Sequence, residues 1–358
     1  MMRIISVNVV FLGIGLLVLE LFFGDWYGTH RLNRLNLTQH QTLIFDVSKL
    51  YSSGTGKAIY KKDAYGFRGP YTSLNSIDIL TLGGSTTEQK YITEGNTWQD
   101  ILRQDFKREG KIVNVVNAGV DGQSTYGHIK DFDWWFAFIP DLKVNYFLFF
   151  VGLNDFFRDE TNEFDDLLKT TLSLKDRSVL YHLFRTFRGI WLAKIYKIDH
   201  HSIDFKTLEW VETQPNVEHH EVLLRDQVAA YDKRLKILAQ RVRKLNGTPI
   251  FVTQPHRKYK KLGGKIVGVK GVPLGFPWGK AVYGGKKING IDSYLMMKVF
   301  NEKTLEVCRE VGGICIDLAS ELEFDDDDFY DFAHNTPEGA EKIGHYLHKK
   351  LAGIFDQE

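Results

Sequence analysis

Four short segments of this chain carry residues that together could perform acyl transfer. Ser85 closes "ILTLGGS", Gly122 lies in "NAGVDGQST", Asn154 in "VGLND", and Asp331 and His334 stand three apart in "DFAH". A serine hydroxyl is a weak nucleophile until a neighbouring base takes its proton. His334 can be that base, and Asp331 can fix its tautomer and stabilise the imidazolium. The tetrahedral oxyanion then needs preorganised donors. The Ser85 and Gly122 backbone N–H groups and the Asn154 side-chain amide would supply three. Such a set calls for no metal and no cofactor.

These residues can meet only if the fold brings them together. Short, nearly continuous apolar runs occur at 77–83, 112–119, 145–152, 248–254 and 313–318, as expected of strands buried on both faces. Between them the apolar spacing predicts helices over 98–110, 221–247 and 292–313. A last helix should start at Thr336-Pro337, a good cap and first-turn pair, and run to residue 354. Strand–helix alternation of this kind implies a parallel sheet with helices on both faces. In such sheets the working site lies beyond the carboxyl ends of the strands. Ser85, Gly122 and Asn154 each follow a strand directly. The Asp331–His334 pair follows the last one, past "DDDD" (325–328), which reads as a solvated turn or, alternatively, a calcium site. Two further side chains fall near this edge. Arg68, among aromatics in "AYGFRGPY", can clamp a substrate carboxylate or pair with an acidic neighbour. His256, after the fourth strand, can touch substrate or be an ordinary surface histidine.

Alone, "GGSTT" also reads as a phosphate cradle at a helix start. It lacks the Gly-Lys-Ser/Thr ending of a P-loop and the spacing of GxGxxG. It is not a G-x-S-x-G elbow either, because Thr87 stands where the second glycine belongs. Asp331 and His334 could ligate a metal, but spacing brings no third ligand to them. Taken in order, the four segments resemble the signature blocks of the SGNH (GDSL-type) hydrolase superfamily, over roughly residues 77–354. The pattern further resembles membrane-anchored bacterial members in which "GFRGP" precedes "LGGSTT". The resemblance implies a three-layer α/β/α sandwich around a five-stranded parallel sheet of flavodoxin-like type. It implies Ser85 as nucleophile, Asp331 and His334 as its triad partners, and Ser85, Gly122 and Asn154 as the oxyanion hole. It further implies an esterase acting on O-acyl, chiefly O-acetyl, esters of a cell-surface carbohydrate. The alternatives are an O-acetyltransferase of an envelope polysaccharide, working beside other biosynthesis proteins, or a catalytically idle glycan-binding or assembly protein. One departure stands out: the family's Gly-Asp-Ser is Gly83-Gly84-Ser85 here. That change is expected to alter local packing and to spare activity.

The rest of the sequence bears on location and partners. Residues 4–23, "IISVNVVFLGIGLLVLELFF", have the length and apolarity of a bilayer-spanning helix, with Glu20 the one charge. Arg3 precedes the run, Trp26 and Tyr27 follow it as interfacial aromatics, and no small-x-small cleavage site comes after it. An uncleaved transmembrane anchor is expected, with the body outside the cytoplasm, in the periplasm. The expected organisation is an anchor at 4–24, a linker and N-terminal extension at 25–75, and a hydrolase domain at 76–355 with insertions near 156–220 and 256–290. The first insertion holds an amphipathic basic stretch (177–197) that suits a core-facing helix, a membrane-surface helix or a lid. Residues 256–287 hold nine Lys or Arg and no Asp or Glu, as an anionic glycan or lipid site would, or a solvated loop. A net charge of +1 gives no general steering toward nucleic acid, and none is expected as a partner. Cys308 and Cys315 fit no CxxC or zinc spacing and are expected to be free thiols in packed positions.

Overall fold

The computed structural model describes residues 2–24, 26–27, 37–157, 174–196, 202–270, 282–283 and 285–355. It divides into two compact units, Met1–Leu37 with Leu168–His200, and Thr38–Leu167 with His201–Glu358.

The larger unit is built on five parallel strands: β1 (Ile77–Gly83), β2 (Val115–Asn117), β3 (Val144–Phe150), β4 (Thr248–Val252) and β5 (Ile314–Ile316). Their order across the sheet is β5-β4-β3-β1-β2. All five apolar runs become strands because each is apolar on both faces and can bury both. The alternation of side chains then sorts the core. Leu148, Phe150, Ile250 and Val252 face one layer, where Trp98, Leu102 and Phe106 of the helix Trp98–Arg108 meet Ile343, Leu347 and Leu351 of the helix Pro337–Leu351. Phe147, Phe149 and Phe251 face the other. There Phe132 packs on Phe147, and the helices Arg225–Lys244 and Gly290–Glu310 lie against β4. Helix starts follow cap chemistry. Thr97 with Asp100, and Asn289 with Asp292, each form a reciprocal capping box. Thr336 accepts from the Gly339 N–H ahead of Pro337, as its sequence promised.

Several expectations need correction. Within the 25–75 linker and N-terminal extension, the part from Thr38 onward belongs to the larger unit. It forms an antiparallel hairpin, Gln41–Asp46 with Lys57–Lys62, whose Tyr60 and Ala58 are buried. Cys308 and Cys315 are paired in a disulfide, with their Cα atoms 5.8 Å apart. The reversal at Gly312, where φ is +64°, returns the chain from helix end to β5 and brings the two sulfurs together. The acidic run is not simply solvated. Lys342 holds Asp325 and Asp328, Arg257 and Lys260 hold Asp326, and Lys206 holds Asp327. Among the described residues no cluster of His, Cys, Asp or Glu is arranged to hold a metal ion. The basic segment after β4 folds back as a hairpin, Tyr259–Leu262 with Lys265–Val269, and pairs with acids elsewhere: Lys265 with Glu212 and Lys270 with Glu209. Its stretch 271–281 lies outside the described residues.

In the smaller unit the helices Met2–Phe23 and Val179–Tyr196 pack together. Glu20 accepts hydrogen bonds from the Val179 and Leu180 N–H groups, at 2.8 and 3.4 Å, capping the second helix. That second helix is not core-facing: Leu183, Phe184, Phe187 and Trp191 are exposed. Among the described residues no helix is long and apolar enough to cross a membrane. The side chains at 1–7 and 9, within or at the start of the first helix, lie outside them.

Arg68 shows what locks the hairpin region to the sheet. It is 1 % exposed, pairs its Nε with Glu94 at 2.6 Å, and donates to the carbonyls of Glu88, Gln89 and Ile92. Arg68→Met strands three carbonyls and a carboxylate, and is expected to cost about 3–5 kcal/mol in urea unfolding. Arg68→Lys should recover only part of this, because an ammonium cannot reproduce the guanidinium fork.

Candidate active site

Register brings the chemistry-bearing residues to one edge. Gly83 at the end of β1 lies beside Phe150 of β3, which lies beside Val252 of β4. Ser85, the 118–124 loop, Asn154 and Gln254 therefore all emerge past the same carboxyl edge. Ser85 opens a single helical turn, Ser85–Glu88, closed by Gln89 in the left-handed region.

The Asp331–His334 segment crosses to Ser85 from beyond β5. The Ser85 hydroxyl lies 2.7 Å from His334 Nε2. His334 Nδ1 lies 2.8 and 2.9 Å from the two Asp331 carboxylate oxygens. Nδ1 facing a carboxylate must carry the proton, so Nε2 is the acceptor for Ser85. Asp331 is itself fixed, since its Oδ1 accepts the Ala333 and His334 backbone N–H groups, both at 2.8 Å. Tyr330 stacks on the imidazole, with planes 8° apart. Burial works against a charged His334, yet the Asp331 charge and hydrogen bond, helped by Asp121, raise its pKa above the ordinary 6.5. The segment is held by Ile203, whose N–H donates to Tyr330, by Arg257, whose N–H donates to Phe332, and by the four neutralised aspartates before it.

The 118–124 loop carries the second group of candidate donors. Gly122 adopts φ +73°, a left-handed conformation that favours glycine. The loop is clamped on both sides of it. Before it, the Asp121 N–H donates to Glu88 Oε2 at 2.9 Å, while the Tyr60 hydroxyl donates to the other oxygen. After it, the Gln123 carbonyl accepts from Asn154 Nδ2 at 2.6 Å. One amide hydrogen of Asn154 is thereby fixed, which sets the direction of the other. Asp155, next in sequence, is fully buried, pairs with Arg234 and accepts from the Thr125 backbone and hydroxyl.

Position 84 has no room for a side chain. A Cβ on Gly84 would fall 2.0 Å from Asn154 Nδ2 and 3.2 Å from the Gln123 carbonyl oxygen. In this arrangement the space of a side chain at 84 is taken by the Asn154 amide. The contact falls on a candidate oxyanion donor.

Ser85, Gly122, Asn154, Asp331 and His334 thus gather at one edge; Arg68 and His256 do not present free polar atoms there. Arg68 takes the second of its two readings, pairing with acidic Glu94. His256 is not a surface residue, and both its ring nitrogens are bonded within the protein. Its Nε2 donates to the Ser293 carbonyl at 3.1 Å and its Nδ1 accepts the Lys258 N–H at 3.1 Å. Burial, with Lys258 nearby, holds its pKa down to about 3, so the ring is neutral. Sequence reading missed Gln254. Its carboxamide accepts the Leu153 N–H and donates to Thr86 Oγ1, both at 2.8 Å, tying the Asn154 turn to the Ser85 turn. Asn301 brackets it by bonding its backbone N–H and carbonyl. The available signal was its place directly after the fourth strand.

No protein-family model matches the sequence, and no curated protein matches it. Solved structures with similar folds include three hydrolases. A carbohydrate acetylesterase, Est24, from Sinorhizobium meliloti is 11 % identical over 78 % of this chain and 100 % of its own, with a TM-score of 0.43. The acetylxylan esterase Axe2 from Geobacillus stearothermophilus, as a catalytic mutant, is 10 % identical over 77 % and 94 %, with a TM-score of 0.42. A member of the lipolytic G-D-S-L family from Veillonella parvula is 13 % identical over 79 % and 100 %, with a TM-score of 0.41.

Proposed function

We propose that this protein is a serine esterase of the SGNH type that removes short O-acyl groups, acetyl above all, from a cell-surface carbohydrate. One observation carries the reading: the hydrogen-bonded line from Ser85 through His334 to Asp331, at a strand edge where the Asn154 amide is also held. Ser85 Oγ gives its proton to His334 Nε2 and attacks the ester carbonyl. The oxyanion is met by the Ser85 and Gly122 N–H groups and the Asn154 amide. His334 returns the proton to the departing sugar oxygen, leaving an acyl-Ser85. Water, activated by His334, then releases the acid and restores the serine.

The hollow at Ser85 and His334 is small and is lined also by Thr86, Gln89, Tyr91, Ile92, Tyr330 and Asn335, which favours a short acyl group. An N-terminal membrane anchor with the catalytic unit in the periplasm is part of the proposal. It is supported by the apolar run 4–23 and by the Cys308–Cys315 disulfide, a bond that persists in oxidising compartments.

Five measurements test this. A fluorophosphonate probe should label the protein and fail to label Ser85→Ala; no labelling of the parent would leave a glycan-binding protein. Acetylated glycan should release acetate whether or not an acceptor glycan is added, whereas acetate appearing only on the acceptor would make the protein a transferase. Protonated His334 cannot take the Ser85 proton, so kcat/KM should rise with pH around a midpoint above 6.5, the ordinary histidine value. Asp331→Asn removes the charge that raises His334 and should move that midpoint downward. Gly84→Asp, by displacing the Asn154 amide, should lower kcat by about two to three orders of magnitude, the usual effect of losing one oxyanion donor. Its circular-dichroism spectrum should match the parent's.

A further inference from the structure

The helix Val179–Tyr196 has an apolar face with no protein partner among the described contacts. Leu183, Phe184, Phe187 and Trp191 recur at helical spacing and are 48 %, 62 %, 68 % and 61 % exposed. Arg185 and Arg188 are exposed beside them. Over 175–197 the sequence carries six Lys or Arg and one acidic residue, Asp176. The helix packs on Met2–Phe23, whose own side chains from Val10 to Phe23 are exposed apolar groups with few exceptions. Glu20, the one charge of that first helix, spends its carboxylate on the backbone N–H groups that open the second. The two helices therefore form one unit with apolar surface on both members and a basic fringe on one.

We infer that Val179–Tyr196 lies in the surface of an anionic lipid bilayer, with Phe184, Phe187 and Trp191 among the acyl chains and Arg185 and Arg188 at the headgroups. The chemistry fits that occupant. A basic amphipathic helix with aromatic residues on its apolar side gains from apolar burial and from anionic headgroups together. Tryptophan suits the interface, having an apolar body and one polar N–H. A second copy fits less well, because it would set one basic fringe against another. Glu20 adds a reason for depth: it sits near the end of the apolar helix, where the polar boundary would fall, and it fixes the start of the second helix at that level. The inference rests on the anchor reading for Met2–Phe23, and it extends the membrane contact to a segment over 150 residues away in sequence.

The test uses the full chain in vesicles of phosphatidylcholine and phosphatidylglycerol. Single cysteines carrying an environment-sensitive fluorophore replace Phe187 or, in a separate variant, Leu12; the two native cysteines are paired. Shallow and deep doxyl-labelled lipids report contact with the bilayer, and aqueous iodide reports contact with water. The label at Phe187→Cys is expected to be quenched by shallow doxyl lipid and spared by iodide. Combining it with Arg185→Glu and Arg188→Glu should abolish much of the lipid quenching on the anionic vesicles. If Leu12→Cys is quenched by deep doxyl lipid while Phe187→Cys is reached by iodide, the anchor stands and this inference falls. If Phe187→Cys is quenched by lipid and Leu12→Cys is not, the surface helix stands and the anchor falls. A Phe187→Cys label sheltered from both quenchers would mean that protein covers the face, and would overturn the inference.

Discussion

The site depends on two backbone segments meeting without side chains between them. Gly119 lies so close to the turn after Ser85 that a Cβ there would fall 2.3 Å from the Glu88 backbone nitrogen. No other residue permits that approach without moving one segment. Once they touch, polar groups sew them together. Asn117 donates to the Thr87 carbonyl at 2.7 Å, Lys62 reaches the Gly119 carbonyl at 3.0 Å, and Glu88 takes the Asp121 N–H. Ser85 and the loop bearing Gly122 are thus a single piece of structure. His334 needs only to be delivered to it, and the rigidly bonded segment from Asp328 to Thr336 does that.

Beneath this piece lies a buried set of charges that no apolar core would tolerate singly. Lys62 and Arg68 face Glu88, and Glu94 closes the group from the half-exposed side. Burial pushes the Lys62 pKa down to about 8, opposed mainly by the Glu88 charge. Removing charges from water is expensive, and here the expense is offset by the number of hydrogen bonds each group makes. The return is geometric. Arg68 holds the carbonyls of Glu88, Gln89 and Ile92 at the end of the turn that Ser85 opens, which a nonpolar side chain of the same volume could not orient.

Much of the fold was legible because its signals are local. Continuous apolar runs marked all five strands, and Thr336-Pro337 marked the start of the last helix by cap chemistry that depends on neighbours alone. That Ser85, Gly122, Asn154, Asp331 and His334 would gather at one edge was legible through their order along the chain. What stayed hidden depends on distant partners. Gln254 is meaningful only with Leu153 and Thr86, which are 101 and 168 residues away. Glu88 reads as an exposed helix residue until Tyr60 and Asp121 are brought to it. The same holds for His256, whose fate was set by Ser293 and Lys258, and for the disulfide, which a tight reversal at Gly312 made possible. The exposed face of Val179–Tyr196 was hidden for the opposite reason: periodicity reports that a face is apolar and not what covers it.

The glycine at position 84 makes the wall beside Ser85 out of backbone alone. Because the Asn154 amide fills the space where a Cβ would stand, a side chain introduced at 84 has to move Asn154. The two positions therefore cannot be varied one at a time, and a library of variants built on this edge has to randomise them together.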